Sequence, residues 1–439
     1  MKMEQYAEFS KELVGRYIAA QEETNELYKK RYIPVGSEKL LEIVNAKHAK
    51  PDDEDELRRF YDAVFKDSGI SFDAIIGSSG NVVLREEGKA VKFTDIRHAG
   101  PDYPAYVNSD DKYNLLINAY AKKDIMIEIP EDSEKSINLL FAAINEPLLV
   151  RIIINAGKGS KLNLLEWYAT AEGRRTISAA SHRIISEDYS KCEINMLHNE
   201  SYDTTVLNIY DAKSLASSSL KMNYFYSGGS VTKAHGTIEA HDYSSSIDVN
   251  EFIFGSDGQK MDINTNIVNS SSNTTARLAT RAAAMGSATC YLKGFSKIVN
   301  GSKDSRSFVE ESGMLLDKSA RIDSIPAMSI DENKVKATHS SAIGPIDEES
   351  LFYMGTHGVD KEKAKELLVN GFFSSQLGSV GNNQAREAFA AIIRAKMKDG
   401  SNIGKTPKLN SSGLWFADSE SDIFKGHYKY RSEKDEAQD

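Results

Sequence analysis

The stretch LKMNYFYSGGSVTKAHGTIEAHDYSSSIDVN, residues 220–250, carries the clearest strand pattern in the chain. Apolar side chains occupy every second position at its start: Leu220, Met222, Tyr224 and Tyr226. A period of two residues predicts a strand with one buried face. The run ends in Ser-Gly-Gly-Ser at residues 227–230, which is the composition of a turn. The stretch therefore predicts short strands joined by tight polar turns.

The same texture continues on both sides of this stretch and covers about two hundred residues in all. Further alternating runs are centred on Ile247 and Ile263, and no proline occurs between Pro147 and Pro326. Many short strands with almost no helix between them leave a sandwich, a barrel, a propeller or a solenoid. Asn-Gly hairpin signals are nearly absent, which favours a solenoid, where strands connect from coil to coil. No exact repeat period is visible, so the pattern alone leaves these architectures open.

Helical periodicity flanks the strand-rich region on both sides. At the N-terminal side we predict a helix from Tyr6 through Tyr17 that continues to Leu27 and Tyr28, a second over Asp53–Lys66 and a third over Leu115–Lys123. At the C-terminal side we predict a helix capped by Asp360 and another over Asn383–Lys398. The predicted domains are a helical or mixed region at 1–122, a β core at 123–346, and a helical domain with a disordered tail at 347–439.

Composition excludes several classes of protein. The chain has 439 residues, a formal net charge of −10 and no long basic run, which argues against nucleic acid as a partner. It starts without the apolar core of a secretory signal, and no run approaches the roughly 20 apolar residues of a membrane helix, so we expect no membrane partner and a cytoplasmic location. Two distant cysteines exclude a disulfide framework and a self-contained cysteine-rich metal site.

Few residues carry recognisable chemistry. Residues 157–161, Gly-Lys-Gly-Ser-Lys, lack the spacing of a phosphate-binding loop and are interpreted as a polar turn. His235 and His241 could form a metal pair on a strand, although a solvated polar face is the better interpretation. Cys192 and Cys290 are interpreted as buried apolar residues. Hydrolase motifs are missing, and we predict that the chain is not an enzyme.

An ordered set of short motifs follows Ser305. It comprises Met314-Leu315-Leu316, the segment 320–326, the turn 331–335, His339, residues 344–347, Leu351-Phe352-Tyr353, Gly358-Val359 and the segment 364–372. This set resembles the C-terminal signature of the SufB/SufD family of iron–sulfur cluster assembly proteins. The resemblance extends over roughly Leu115 to Phe373 and implies a right-handed parallel β-helix between N- and C-terminal helical domains.

The resemblance also implies residue roles and partners. His339 matches the SufD histidine that faces a cysteine of SufB, whereas the position of that cysteine is occupied here by Glu311. The chain is therefore expected to be SufD-like, to pair with a SufB-type subunit or with itself, and to dock a SufC-type ABC ATPase. No cofactor is expected to bind stably, but His339 is a candidate metal ligand for a transient iron–sulfur cluster shared with the partner. The candidate residues for ATPase docking are Leu351, Phe352, Tyr353, Leu367, Leu368 and Phe372.

Two other functions remain open at this point. A β-solenoid carbohydrate-binding protein or adhesin would normally be exported and would carry a carboxylate cluster, and neither feature is seen in the sequence. A purely structural solenoid adaptor with no contact to a cluster is the second alternative. The family's "RG" turn is His357-Gly358 here, and a histidine usual in the core is replaced by Asn269.

Overall fold

The structure is a computed structural model that describes residues 3–20, 32–46, 52–66, 68–84, 91–95, 111–400 and 403–405. Its described part contains seven helices: α1 (Met3–Ala19), α2 (Ser37–Asn45), α3 (Glu54–Val64), α4 (Lys112–Tyr120), α5 (Glu348–Thr356), α6 (Lys361–Leu377) and α7 (Asn383–Lys398). No helix among these residues has the length and apolarity needed to span a bilayer.

Two ten-stranded sheets form the core. Sheet A contains β1 (Ala74–Gly77), β2 (Val82–Leu84), β5 (Glu134–Ala143), β7 (Lys161–Thr170), β9 (Lys191–His198), β11 (Ser219–Tyr226), β13 (Ser246–Gly255), β15 (Thr275–Ala284), β17 (Arg306–Leu315) and β20 (Lys336–Pro345). Sheet B contains β3 (Val91–Asp95), β4 (Lys123–Ile129), β6 (Leu148–Ala156), β8 (Thr176–Ser186), β10 (Thr204–Ser214), β12 (Val231–Ala240), β14 (Lys260–Asn269), β16 (Thr289–Ile298), β18 (Arg321–Ser324) and β19 (Ala327–Ile330).

The chain alternates between the two sheets and builds a parallel β-solenoid of about eight coils. Every pairing from β4 and β5 onward is parallel, for example β11 with β13, where Leu220 lies beside Ile247. Only β1 with β2 and β3 with β4 pair antiparallel among the described strands, at the N-terminal end of each sheet. The solenoid predicted from strand alternation and missing hairpin signals is confirmed.

The turns that lead from sheet B to sheet A stack on one another along the solenoid, and their spacing explains why no repeat was visible in the sequence. In each of these turns, from β4–β5 to β16–β17, a residue adopts a positive φ. These residues are spaced 27 to 31 positions apart: Asp132, Gly159, Tyr189, Ser217, Ser244, Asn273 and Asp304. Each donates its N–H to a carbonyl one coil further on; Tyr189, for example, donates to Ala216 at 3.0 Å. Since the coil length varies and the residue at this position changes, no fixed period or motif marks the repeat.

Helices cover the outer faces of both sheets. The helices α3, α5, α6 and α7 share one buried apolar cluster with the outward side chains of sheet A, and Phe389 of α7 packs on Phe225 and Phe252 at centroid distances of 5.2 and 5.8 Å. The helices α1, α2 and α4 cover sheet B around Ile177 and Leu207. Burying each such side chain is worth about 1.5 to 3 kcal/mol, so the helices and the solenoid stabilise each other.

An asparagine ladder runs beneath the C-terminal helices on the outer face of sheet A. Asn223 donates to Asn195 at 2.8 Å, Asn250 donates to Asn223 at 3.0 Å, and all three side chains are buried. Gln376 of α6 ends the ladder by donating to Asn250 at 3.3 Å. These bonds satisfy amides that have been removed from water, and they fix the register of α6 on the sheet.

Most predicted helices are found, with differences at the N-terminal side. The second predicted helix is α3, whose N-cap Asp53 forms a capping box with Glu56. The third is α4, but it begins three residues earlier than predicted, because Asp111 caps it by accepting from Asn114. The short helix α2 was missed, and the predicted extension of α1 to Leu27 and Tyr28 lies outside the described residues. The predicted domain boundaries remain predictions, although β1, β2 and β3 precede residue 123 and already belong to the two sheets.

Candidate functional site at the C-terminal end of the solenoid

The last coil places His339 at an open end of the solenoid. His339 belongs to β20, the final strand of sheet A, and lies in register with Val309 of β17, which is buried in the interior. It therefore lies on the side of the sheet that faces the interior in every earlier coil, yet it is exposed. An imidazole at this place is accessible to a metal ion or to a partner chain.

The backbone of β20 has a free edge among the described strands. Lys336 donates its N–H to Ser305, and Ile346 donates to Leu315, so the even-numbered residues point their N–H groups at β17. The N–H groups of the intervening odd-numbered residues, including Ala337 and His339, point away from β17. A row of such groups is a template for another strand.

A buried carboxylate lies one coil below the open end. Glu311 of β17 is 1% exposed and pairs in register with Ser341 of β20. Its carboxylate accepts from the Gly294 N–H at 2.6 Å and from the Ser324 hydroxyl, and the Ser324 and Ser341 hydroxyl oxygens lie 2.6 Å apart. The chain of bonds thus runs from a buried carboxylate to an exposed strand.

Burial raises the pKa of the Glu311 carboxyl, although hydrogen bonds from Ser324, Gly294 and Ile325 oppose the shift. Gly294 leaves room for the carboxylate, because a Cβ atom there would lie 2.7 Å from Glu311 Oε1. The pocket therefore requires both a glycine on β16 and a long acidic side chain on β17.

Glu251 is a second buried carboxylate in the same inward column. Register places Glu251 of β13 beside Thr280 of β15, and Thr280 beside Glu311. Glu251 accepts from Thr280 at 2.6 Å and from Thr265, whose hydroxyl oxygen also lies 2.5 Å from the Tyr210 hydroxyl. Burial raises the pKa of Glu251 to about 7, and the charge of Glu311 acts in the same direction.

Replacing Glu251 with glutamine is expected to remove a pH-dependent component of stability. The folded protein holds the proton of Glu251 more tightly than the unfolded chain does, since the pKa rises from 4.5 to about 7. This contribution is fully present below pH 4.5 and is lost as the pH rises through 7. Urea unfolding from about pH 5 to 8 should show the difference between the wild-type protein and Glu251→Gln changing by about 3 kcal/mol. Glu310, which points to the outer face of sheet A, is the control, and the difference between the wild type and Glu310→Gln should not change with pH. If the unfolding free energies of all three proteins change equally with pH, the raised pKa of Glu251 is contradicted.

The six predicted docking residues do not form a single face. Phe352 and Tyr353 of α5 and Leu367 of α6 are exposed, by 76%, 65% and 45%. Leu351 is buried, and Leu368 and Phe372 pack against the cluster on sheet A. The helix α6 lies along the flank of sheet A, where Arg281 of β15 donates to the Phe372 carbonyl. Docking of an ATPase through these six residues stays a prediction.

The other singled-out residues have structural roles. Residues 157–160 form the turn between β6 and β7, as predicted. His235 contacts Asp111 at 2.9 Å and His241 contacts Glu239 at 2.9 Å, so they do not form a metal pair. The described residues contain no group of three or more metal-ligating side chains.

Both cysteines lie in the apolar interior, as predicted. Burial raises the pKa of the Cys192 thiol and raises that of Cys290 to about 12. Neither residue supplies a thiolate at neutral pH, and thiolates are the form in which cysteine binds metal. Any thiolate ligand near His339 must therefore come from elsewhere.

The interior carboxylates were missed as functional candidates. Glu251 and Glu311 occupy positions where the period of two predicts apolar residues, and this mismatch is the signal that could have found them. The hydroxyls that lead to Glu311, from Ser324 and Ser341, lie in different strands, so their convergence could not be predicted from sequence spacing.

Fold and site together define the class of protein: a parallel β-solenoid whose open last coil carries an exposed imidazole, with a buried carboxylate in the adjacent inward column of the coil below. Residues 141–372, more than half of the chain, match the family model described as "SUF system FeS cluster assembly, SufBD core domain". The chain therefore belongs to the SufBD family of the SUF system for iron–sulfur cluster assembly, as the sequence motifs predicted.

Three relatives show the extent of the similarity. The iron–sulfur cluster assembly protein SufD of Bacillus subtilis is 22% identical over 330 residues, which cover 71% of this chain and 75% of that protein. A SufBD family protein of Staphylococcus saprophyticus is 21% identical over 361 residues, covering 80% and 73%. A SufBD family protein of Mycobacterium leprae is 36% identical over 85 residues, which are 19% of this chain and 22% of the relative.

Proposed function

We propose that this chain is a SufD-like scaffold subunit without ATPase activity, which pairs with a SufB-type subunit or with a second copy of itself. The last coil is the observation that carries the proposal. It presents a free strand edge and the exposed His339 at one place, while both cysteines of the chain are buried and protonated. A nascent iron–sulfur cluster, the cargo of the system, would take nitrogen from His339 and thiolate from the partner.

The role is that of a scaffold and not of an enzyme. Relatives across most of the chain are named as assembly proteins, which supports this interpretation. Energy for rearrangement would come from a SufC-type ABC ATPase, as predicted from the sequence. The cytoplasmic location remains a prediction.

Replacing Ala337 with proline is expected to abolish pairing while the fold is kept. Proline at residue 337 removes an N–H that points to the free edge and leaves the bond of Lys336 to Ser305 in place. Size-exclusion chromatography of a co-expressed mixture should show the wild-type chain in a complex with a SufB-type partner and the Ala337→Pro chain alone. Lys336→Ala, which keeps every backbone donor, is the control and should pair normally. Normal pairing by Ala337→Pro would contradict docking through β20.

Replacing Phe352 and Tyr353 together with serine is expected to weaken binding of a SufC-type ATPase by about tenfold or more. Both side chains are exposed and adjacent on α5, and anchors of this kind carry much of the energy of an interface. Deleting the helices would be a poorer test, because it would uncover the apolar outer face of sheet A. Tyr243→Ser, at a solenoid turn with 61% exposure, is the matched control. Unchanged affinity in calorimetric titration would place the ATPase elsewhere.

Reconstitution tests the proposed function as a whole. The chain, a SufB-type partner and the ATPase are mixed anaerobically with ferrous iron, a sulfur donor and ATP. We expect cluster formation to depend on this chain, and equal formation without it would leave a structural adaptor as the better description.

A further inference from the structure

We propose that Glu311 accepts, through Ser341 and Ser324, the proton that is released when a ligand at the open end of the solenoid binds a metal ion. The inference rests on the proposed function for the presence of the metal, but the relay itself can be measured on the chain alone. Glu311 lies in register with Ser341, whereas His339 lies beside Val309, so the proton acceptor is separate from the candidate ligand.

The geometry provides a continuous path. The Ser324 hydroxyl donates to Glu311 Oε2, and Ser324 and Ser341 are within hydrogen-bond distance at 2.6 Å. Ser341 is exposed, Ser324 is half-buried and Glu311 is buried, so the path leads from solvent into the core. In the described structure the other Glu311 oxygen is occupied by the Gly294 N–H, which fixes the carboxylate towards the two serines.

The hydrogen bonds of this path can all be oriented to carry a proton from Ser341, at the open end of the solenoid, to Glu311. With Glu311 ionised, Ser324 donates to the carboxylate and Ser341 can donate to Ser324. A proton arriving at Ser341 moves the Ser341 proton to Ser324 and the Ser324 proton to Glu311, so each hydroxyl ends with one proton. The carboxylate has then become a neutral carboxyl.

Metal binding supplies the proton. Thiols, hydrosulfide and imidazolium must lose a proton before they coordinate a metal, and binding therefore releases protons. For one thiol the balance is that the thiol, the metal ion and the ionised Glu311 give the metal thiolate and the protonated Glu311. No oxidant or reductant is required.

The surroundings favour holding the proton. The groups that face Glu311 are Thr280 of β15, Gly294 of β16, Ser324 of β18, the Ile325 backbone N–H and Ser341 of β20. The next titratable group of this column is Glu251, whose own pKa is raised by burial and by the charge of Glu311. The exposed His339 lies in the neighbouring column. Burial raises the pKa of Glu311, so a captured proton is retained better than by an exposed carboxylate.

Infrared spectroscopy of the chain alone tests the relay. The carbonyl band of protonated Glu311 is identified by its loss in Glu311→Gln, with Glu310→Gln as the neighbouring control that should leave it. After transfer to D2O, we expect the band to shift about tenfold or more slowly in Ser324→Ala/Ser341→Ala than in the wild type, because exchange then requires local opening. Ser340→Ala, on the outward side of the same strand, should exchange like the wild type. Equal rates in the double variant would overturn the relay.

The pH profile of cluster formation in the full complex tests whether the proton relay operates during assembly. The wild type should assemble more slowly as the pH falls and Glu311 becomes protonated beforehand, whereas Glu311→Gln should be about tenfold slower or more at high pH and insensitive to that titration. If Glu311→Gln shows the wild-type pH profile of cluster formation while assembly still depends on His339, Glu311 is not the proton acceptor, but the proposed function stands. Assembly that needs neither His339 nor this chain would refute the proposed function and, with it, the use of the relay, while the exchange result on the isolated chain would stand.

Discussion

Replacing Lys396 with alanine is expected to lower the free energy of unfolding by about 3 to 5 kcal/mol. Lys396 lies on α7 and is completely buried. Its ammonium donates to the carbonyls of Ser227 and Phe254 and to Gln259 Oε1, each at 2.7 Å. Alanine would remove one hydrogen bond from each of three acceptors and create a cavity beside Phe254, so α7 would lose a buried polar attachment to the solenoid.

The cost of this substitution should grow with pH. Burial lowers the pKa of Lys396 from 10.5 to about 7, and nearby Cys290 and Asp257 oppose the shift. Since the unfolded chain binds this proton more tightly, the stability contributed by Lys396 rises with pH between about 7 and 10.5, by at most about 1.4 kcal/mol per pH unit. Denaturant titrations at several pH values measure this dependence.

Lys398→Ala is the matched control for Lys396. Lys398 is on the same helix, two residues away, and is exposed. Its replacement should change stability by less than about 0.5 kcal/mol. A comparable loss in both variants would show that helix propensity, and not the buried ammonium, accounts for the effect.

Replacing His339 with alanine is expected to reduce cluster formation by the reconstituted complex about 10- to 100-fold. The exposed imidazole would be lost from the open end, whereas the strand would remain paired to β17, because β20 is held by its backbone. Complex formation with the partner and the ATPase should be unchanged, which separates loss of a ligand from loss of docking.

Thr338→Ala is the control for His339. Thr338 is exposed, precedes His339 on β20 and points to the opposite side of the sheet. It should assemble clusters at the wild-type rate. Wild-type assembly by His339→Ala, in a complex of normal composition, would remove the ligand role and leave His339 as a structural residue of the interface.

The sequence predicts the solenoid because each strand has two chemically different faces. Leu220, Met222 and Tyr224 are buried in the interior, as their alternation predicts. The helix α7 is found with its predicted bounds, since its apolar stripe covers sheet A and Asn382 caps it by accepting from Ala385. Strong local periodicity and local capping are what allowed these elements to be predicted.

The remaining features depend on contacts between distant residues. The pocket of Glu311 is built by Gly294, Ser324 and Ser341, which come from three other strands. The helix α2 is held to the solenoid by few residues, Leu40 among them, and its short pattern is weak. One alternating run predicts a strand but does not show which residues of the neighbouring coils lie beside it, because the lengths of the eight or so coils differ. Family motifs identified His339, but only the structure places it on a free strand edge, next to the column that contains the buried Glu311.

The scaffold role is tested by the amounts of iron and acid-labile sulfide that are bound after anaerobic assembly. The measurement compares a complex of this chain, a SufB-type partner and the ATPase with the same mixture lacking this chain. We expect a cluster to form only in the complete complex and this chain alone to retain none, because Cys192 and Cys290 are buried. A full cluster content without this chain, or on this chain by itself, would contradict this expectation.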